Sequence, residues 1–277
     1  RDRDKIVLSD RLQAIVSMVT PGNRVCDIGC DHGFVPVYLV RQGISPGAIA
    51  MDVRKGPLSQ ADLHIRAYGL EALIQTRLSD GLAAFRAGEA DTLICAGMGG
   101  RLMMRILTEE AEKAASFREL ILQPQSEIQL FRAFLRSQGY LITDENMIEE
   151  DGKFYPMMKA VPGENPVQST EAVKKPGNRN KTLPQEDSYR EYFGHEDFQT
   201  QMEDRYGPLL LRRKHPVLYR YLEREVCLCD KILEQMRAQG TEELEKSGRP
   251  EEINRQKQDC LQVMKERYGD GYGENYD

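Results

Sequence analysis

One stretch, Arg24 to Gly33, constrains the fold of this chain more than any other. It reads Arg-Val-Cys-Asp-Ile-Gly-Cys-Asp-His-Gly, so an apolar run carrying Asp27 leads into Gly29 and Gly33, and a helical pattern follows. A buried strand, a tight glycine turn and a helix form the first half of a nucleotide-binding α/β unit. The sequence therefore predicts an α/β domain with a Rossmann-like sheet.

The charges in this turn indicate which nucleotide is bound. The dinucleotide fingerprint uses three glycines to bring backbone N–H groups close to a pyrophosphate. Here Asp31 occupies the place where a phosphate would come closest, and Asp27 lies just behind it. Two carboxylates repel a pyrophosphate and attract a ligand that carries an ammonium and a sulfonium group. The pattern favours S-adenosylmethionine over NAD, and the alternative is an ordinary turn with surface acids.

Two later strands also end in acids. Ala48 to Asp52 reads as a second strand, and a carboxylate at its tip is placed to hold the hydroxyls of a ribose. Ile74 to Leu78 reads as a third strand and is followed by Ser79-Asp80-Gly81. Asp80 is a candidate acceptor for an adenine amino group, with a helix N-cap as the equally weighted alternative.

Glycines crowd the end of the fourth predicted strand, Asp91 to Cys95, which runs into Ala96-Gly97-Met98-Gly99-Gly100. Such a loop passes close to another group, and in open α/β sheets ligands lie beyond the carboxyl ends of the strands. We expect the loop to frame the reacting centre. Gln123, after the fifth strand Leu120 to Leu122, is a candidate partner for a base or for the loop backbone.

The order of elements predicts the topology. A leading helix (6–18) precedes five alternations of strand and helix, and two strands joined by Asp151-Gly152 form a terminal hairpin. A terminal antiparallel hairpin on a mostly parallel sheet is the class I methyltransferase topology. Residues 1–161 form this domain, and 162–204, poor in apolar residues, are predicted to be a mobile linker or insertion.

The last segment, 205–277, is predicted to be a C-terminal helical domain. Pro216 to Gln239 and Glu251 to Tyr268 carry apolar stripes at helical spacing, separated by Gly240, Gly248 and Pro250. These stripes predict an antiparallel, coiled-coil-like helical hairpin.

Composition bounds the environment and the partners. The 277 residues carry a formal net charge of −6, so global charge does not predict nucleic-acid binding, which would need a local basic strip. None of the six cysteines forms a zinc-type pair, and the given residues predict neither a leader nor a long apolar run. We expect a cytoplasmic protein, monomeric, with no metal and no membrane contact.

Several motifs together resemble one family, the bacterial tRNA (adenine(22)-N1)-methyltransferases, known as TrmK. They are Asp27-Ile28-Gly29-Cys30-Asp31-His32-Gly33, the Ala96 to Gly100 loop, Leu122-Gln123-Pro124-Gln125 and Asp151-Gly152-Lys153-Phe154-Tyr155, with Leu8 to Leu12 and Gly56-Pro57 in support. The resemblance covers nearly all of 6–161 and continues loosely from Tyr206 to about Met236. The linker looks longer than is typical of the family, and Cys30 stands where small polar residues are common.

The resemblance implies S-adenosylmethionine as cofactor and tRNA as substrate, with methyl transfer to an adenine N1 in the D-arm. The predicted cofactor-binding residues are Asp27, Gly29, Cys30, Asp31, His32, Gly33, Asp52, Val53, Ser79, Asp80, Gly81, Ala96, Gly97 and Met98. Candidates for the acceptor-base pocket are Met98, Gly99, Gly100, Gln123 and His32, the last either a proton acceptor or a cap on the turn. No general base is evident.

Binding of tRNA by an acidic protein requires clustered cations. The candidates are Arg54, Lys55, Arg101 and Arg105 near the pocket, and Arg212, Arg213, Lys214, Arg220 and Arg224 on the helical part. Three other functions remain open: a methyltransferase acting on another substrate, a non-catalytic tRNA-binding scaffold and, disfavoured by Asp31 and the missing third glycine, a nicotinamide oxidoreductase.

Overall fold

The computed structural model describes residues 6–163, 196–239 and 248–269, and the statements below concern those residues. The chain divides into two compact units, Arg1–Arg205 and Tyr206–Asp277. The first unit contains a seven-stranded sheet with the order β3-β2-β1-β4-β5-β7-β6. Strands β1 to β5 pair in parallel, and β7 is antiparallel to both β5 and β6. The predicted mostly parallel sheet with a terminal antiparallel hairpin is confirmed.

The bounds of the elements lie close to those predicted. The strands are β1 Val25–Ile28, β2 Ala48–Asp52, β3 Ile74–Leu78, β4 Thr92–Met98, β5 Glu119–Pro124, β6 Tyr140–Glu150 and β7 Lys153–Pro162. The helices of the first unit are α1 Asp10–Ser17, α2 Phe34–Arg41, α3 Lys55–Ala67, α4 Gly100–Glu109, α5 Ala111–Ala114 and α6 Ile128–Ser137, and α7 Phe198–Tyr206 reaches the unit boundary.

Two apolar clusters cover the two faces of the sheet. On one face α1, α2 and α3 pack on alternate strand residues such as Val25 and Ala50. On the other face α4 and α6 pack on the intervening residues, such as Cys26 and Met51. Because side chains alternate across a strand, the two sets of helices bury opposite faces of the same central strands. The carboxyl edge of the sheet is left to the loops.

One predicted alternation is wrong. The segment between β3 and β4 contains turns and no helix. Ser79 fixes the first of these turns, since its hydroxyl donates to the Gly81 carbonyl (2.8 Å) and accepts from the Ala84 N–H (3.0 Å). Because the Ser79 hydroxyl bonds to backbone groups two and five residues later, the chain forms turns here and no helix.

The terminal hairpin turns at Asp151-Gly152 as predicted. Both residues have positive φ, 51° and 69°, and Glu150 pairs with Lys153, so the loop has two residues. This is the backbone geometry that a type I′ turn requires. Replacing Gly152 by alanine should destabilise the first unit by about 1 kcal/mol, because alanine adopts this φ only with strain. Urea unfolding measures the change, and the same substitution at Gly56, which has ordinary φ and open space around it, is the control.

The C-terminal unit contains α8 Pro208–Arg212, α9 Pro216–Gln239, α10 Arg249–Val263 and a π-helical turn, Met264–Tyr268. The Tyr268 hydroxyl donates to the His215 carbonyl (3.0 Å), and Gln256 donates to Glu225 (3.0 Å). Residues later in the second segment therefore contact residues earlier in the first, which is the pattern of an antiparallel pair. The two long stripes form the predicted antiparallel pair.

The predicted linker is described only in part. Residues 164–195 lie outside the described residues, as do 270–277 of the predicted loose tail, whereas Phe198–Tyr206 is helical. None of the described helices is both long and apolar enough to cross a membrane. Within the same residues no group of three or more His, Cys, Asp or Glu side chains is arranged to hold a metal ion.

Candidate active site

The strand order reverses beside β1, which is where an open α/β sheet forms its crevice. Strand β1 lies between β2 and β4, and the chain moves outward from β1 in both directions along the sheet. In open α/β sheets this switch point is where ligands bind, beyond the carboxyl ends of the strands. The Gly29 turn and the Ala96 to Gly100 loop meet there, since a methyl group added at Gly29 would overlap the Met98 Cε.

The glycine turn has the conformation that its sequence predicts. Gly29, Asp31 and Gly33 all have positive φ (67°, 49° and 71°), and Gly29 N–H donates to the Met51 carbonyl (2.8 Å). Gly33 has a packing role, because a Cβ there would lie 2.9 Å from that of Ala61 on α3. Gly29 has no side chain and a positive φ, and the Met98 Cε packs where a Cβ would stand, so glycine is required at this position.

Asp27 is buried near the end of β1, with 5% of its surface exposed. Its carboxyl group makes no hydrogen bond to any described residue, which is unusual for a buried acid. Burial, and secondly the charge of Asp52, raise its pKa to about 8. A cationic ligand would stabilise the ionised form of this buried carboxyl group and would give it an interaction partner.

Asp52 ends β2 and is also buried. Its Oδ1 accepts from the Arg54 backbone N–H (2.9 Å), and the Arg54 Nε lies 3.7 Å away. Its Oδ2 has no hydrogen-bond partner in the described part of the chain. One oxygen thus fixes the carboxylate, and the next residue, Val53, has an exposed side chain.

The third predicted group, Ser79-Asp80-Gly81, has mainly structural contacts. Asp80 forms a two-pronged ion pair with Arg105 (2.8 and 3.3 Å), which lowers the pKa of the carboxyl group. Gly81 has φ 54° and packs against Ile106, where a Cβ would lie 2.9 Å from Cγ1. Both carboxylate oxygens of Asp80 are bonded to Arg105. The contact between Asp80 and an adenine amino group stays a prediction.

The Ala96 to Gly100 loop is fastened to the end of β5. The Gly97 N–H donates to the Gln123 Oε1 (3.2 Å), and the Met98 carbonyl accepts from the Gln125 N–H (2.8 Å). Gly100 passes so close to the next loop that a Cβ would lie 2.5 Å from the Ser126 carbonyl oxygen. Close packing thus explains the glycine at Gly100, whereas the positive φ of 74° explains the glycine at Gly97.

Gln123 was predicted to contact either a base or the loop backbone, and its hydrogen bonds in the structure are to the protein. Its side chain is buried, its oxygen serves Gly97 and Arg11, and its Nε2 donates to the Pro124 carbonyl (3.1 Å). Its oxygen and one of its two amide N–H donors are therefore engaged within the protein. Of the two predicted alternatives, the geometry is that of a loop holder and not of a free amide for a base.

His32 belongs to an aromatic group on the outer side of the turn. Its ring lies 5.8 Å from that of Phe34 and 6.2 Å from that of His64, whose Nδ1 is 2.7 Å from the His32 carbonyl oxygen. The His32 Nε2 is 3.7 Å from Asp31 Oδ1. Cys30 beside it is buried, and burial with three nearby acids raises the pKa of its thiol.

The basic candidates of the first unit are mostly paired. Arg54 lies beside Asp52, Arg101 beside Glu127 (3.4 Å) and Arg105 beside Asp80. In the second unit, Arg212 ends α8, Arg213 and Lys214 follow it, and Arg220 and Arg224 lie on α9. The side chains of these five, like that of Lys55, are exposed.

Sequence reasoning assigned no role to Arg11. Its guanidinium donates to the Gln123 Oε1 (3.0 Å) and lies over the Tyr155 ring, 5.6 Å from the centroid. One signal was available, because Arg11 is the second residue of α1 and a helix N-terminus disfavours cations. A cation that is unfavourable for the helix dipole indicates that Arg11 makes a contact outside its own helix.

The comparisons with known proteins agree with this geometry. The profile of the methyltransferase domain family matches residues 8–158. The tRNA (adenine(22)-N(1))-methyltransferase of Bacillus subtilis is 37% identical over 161 residues, which are 58% of this chain and 68% of that protein. The chain belongs to this methyltransferase family.

Solved structures extend the family likeness over both units. The crystal structure of the B. subtilis m1A22 tRNA methyltransferase TrmK is 28% identical, with a TM-score of 0.71, and the match covers 94% of this chain and all of that one. The structure of Streptococcus pneumoniae Sp1610 in complex with S-adenosyl-L-methionine is also 28% identical, with a TM-score of 0.71, and covers 93% of this chain and all of that one.

The residues at the crevice fit the cofactor of this family. Asp27 offers a buried carboxyl group without a hydrogen-bond partner among the described residues, and Asp52 offers a free oxygen one strand away. Gly29, which lies between them in sequence, has the Met98 Cε packed against it, so the glycine turn and the 96–100 loop meet at this point. Acceptors for an ammonium group and for ribose hydroxyls are therefore present where the strand order reverses.

Proposed function

We propose that this protein transfers a methyl group from S-adenosylmethionine to N1 of adenine 22 in the D-arm of tRNA. The proposal rests mainly on the pair of buried acids, Asp27 and Asp52. They lie at the ends of β1 and β2, where the strand order of this methyltransferase-family sheet reverses. Asp27, with the Gly29 backbone, holds the methionine end, and Asp52 holds the ribose. Asp80 stays the candidate for the adenine amino group.

Methyl transfer to an adenine N1 does not require the protein to remove a proton before the attack. Bound S-adenosylmethionine supplies an electrophilic methyl group on a sulfonium, and the N1–C bond forms as the S–C bond breaks toward a neutral thioether. The adenine N1 lone pair lies in the ring plane, so no base has to deprotonate it. The protein contributes by aligning the two reactants and excluding water.

The loop and its supports provide that alignment. Met98, Gly99 and Gly100 frame the acceptor base in this proposal, and Gln123 fixes the loop from below through Gly97. The target base has to leave its stacking or pairing to reach the crevice. His32, on the outer side of the turn, then acts as a cap and not as a proton acceptor.

We further propose the organisation predicted from sequence. Residues 1–161 form the catalytic domain, 162–204 the linker, and 205–277 a helical domain that presents Arg212, Arg213, Lys214, Arg220 and Arg224 to tRNA. The protein acts as a monomer, in the cytoplasm where tRNA is modified.

A single-turnover reaction tests the function. Labelled S-adenosylmethionine is mixed with excess enzyme and an unmodified tRNA transcript, and the nucleosides are analysed. We expect 1-methyladenosine at position 22, and an A22G transcript is the matched control that should accept no methyl group. Methylation of another substrate, or tRNA binding without transfer, would replace the proposal by one of the two other functions.

The ribose contact gives a separate prediction. Asp52→Ala should raise the KM for S-adenosylmethionine by about 10- to 100-fold, because a charged acceptor of hydrogen bonds is lost. The control is Asp62→Ala, which removes a carboxylate on α3 that accepts a hydrogen bond from the Thr76 hydroxyl on β3 (2.8 Å). Steady-state kinetics at saturating tRNA measure both. An unchanged KM in Asp52→Ala would remove this residue from the cofactor site.

A further inference from the structure

The cations nearest the crevice are largely neutralised within the protein. Arg54, Arg101 and Arg105 each lie within 4 Å of a carboxylate. An ion-paired guanidinium attracts a phosphate weakly, since the carboxylate cancels its charge at short range. In a chain of net charge −6, the contact with a polyanion beside the reacting centre needs a cation that is not paired in this way.

Arg11 is such a cation. Its side chain forms no ion pair with any of the described residues and donates a single hydrogen bond, from Nη1 to the Gln123 Oε1. A guanidinium carries five N–H donors, so four remain. The residue is partly exposed, and its guanidinium lies over the Tyr155 ring, which fixes its plane without using a donor.

The position of Arg11 is also set by three separate elements. Its backbone N–H donates to Glu150 at the end of β6 (3.1 Å), its Nη1 reaches Gln123 on β5, and its ring partner Tyr155 lies on β7. A Cβ at Gly97 would lie 3.6 Å from the same Nη1. The guanidinium therefore stands beside the loop that frames the acceptor base in the proposed function.

We propose that Arg11 is a tRNA-contacting residue of the acceptor site, whose free guanidinium edge binds a phosphate next to the target adenosine. This inference rests on the proposed function and adds a substrate contact to it. The planar, preoriented fork suits a phosphate, which accepts two parallel N–H bonds. The Gln123 contact orients the side chain, and the tRNA takes the remaining donors.

The test compares Arg11→Gln with Arg118→Gln. Each removes one positive charge, but Arg118 is exposed and pairs with Asp91 at the amino ends of the strands, the opposite edge of the sheet. For Arg11→Gln we expect tRNA affinity to fall by about tenfold. The slope of log affinity against log salt concentration should shrink by about 0.7 to 0.9, the value for one phosphate contact. Arg118→Gln should change neither.

Two further measurements separate this role from a structural one. Affinity for S-adenosylmethionine should stay within about twofold in Arg11→Gln, and Arg11→Lys, which keeps the charge, should keep the wild-type salt slope. A slower reaction with unchanged tRNA affinity and slope would overturn the inference, since Arg11 would then act only by holding Gln123. The wild-type protein tests the proposed function separately. If it neither binds nor methylates tRNA, the proposed function itself is wrong.

Discussion

Replacing Arg132 by methionine should lower the free energy of unfolding of the first unit by about 3–5 kcal/mol. The guanidinium is 1% exposed, and its Nε donates to Glu145, whose side chain is fully buried, over 2.9 Å. Methionine fills much of the same volume but leaves this carboxylate without its guanidinium. A buried charge that loses its counter-charge pays its desolvation cost in full.

The same arginine also secures the segment that leads to the unit boundary. Its Nη1 donates to the carbonyls of Asp204 and Arg205, each over 3.1 Å. These are last-turn carbonyls of α7, which have no partner within their own helix. Loss of Arg132 therefore weakens β6 and releases the end of α7 together, and hydrogen exchange in β6 and α7 should report both.

Arg136 is the matched control, one helical turn later on α6. It also contacts α7, through the Asp204 carboxylate (2.8 Å), but 44% of its side chain is exposed. Arg136→Met should cost about 1 kcal/mol, because water replaces much of the lost pairing. Urea unfolding followed by exchange in β6 compares the two variants. Equal losses would contradict the argument that burial of the Arg132–Glu145 pair sets the size of the effect.

The parts of the fold that were predicted correctly depend on local sequence. The glycine turn needs positive φ at Gly29 and Gly33, and the hairpin needs it at Gly152, and each requirement is visible in a few adjacent residues. Strand ends could likewise be read from apolar runs followed by an acid or glycine. The order of these signals along the chain was then enough for the topology.

The parts that were missed depend on partners far away in sequence. Arg132 reads as the polar side of a helix, and nothing near it reveals that Glu145 and the end of α7 enclose it. Arg11 finds Gln123 across 112 residues, and Gln123 is turned away from a ligand by the same contact. Side-chain contacts of this kind arise only from the folded arrangement, so the local sequence placed the candidate residues at the ends of strands but could not show their distant partners.

Cofactor binding should release a proton, and Asp27 should be its source. Burial and the nearby charge of Asp52 raise the pKa of Asp27 to about 8, so this carboxyl group is protonated in the free protein at pH 7. Holding the ammonium group of S-adenosylmethionine favours the carboxylate. Affinity should therefore rise as pH increases, by up to about tenfold per unit, and level off above pH 8.

Asp27→Asn provides the comparison that isolates this proton. The cofactor's own amino group titrates in both proteins, so the difference between the two pH profiles belongs to Asp27. At pH 8 the variant should bind about 10- to 100-fold more weakly, and the gap should narrow toward pH 6, where wild-type Asp27 is itself neutral. Calorimetry in two buffers of different ionisation enthalpy should find that, at pH 7, wild type releases about one proton more on binding than Asp27→Asn does.

The same pKa fixes how stability depends on pH, and this gives an independent check without cofactor. Between about pH 4 and pH 8 the unfolded chain has lost the Asp27 proton and the folded chain retains it, so stability of the wild type falls as pH rises across this range. Asp27→Asn removes that decline and should be more stable than wild type at pH 8. A variant less stable at pH 8, with no proton released on binding by wild type, would mean that Asp27 is ionised in the free protein and held by a partner.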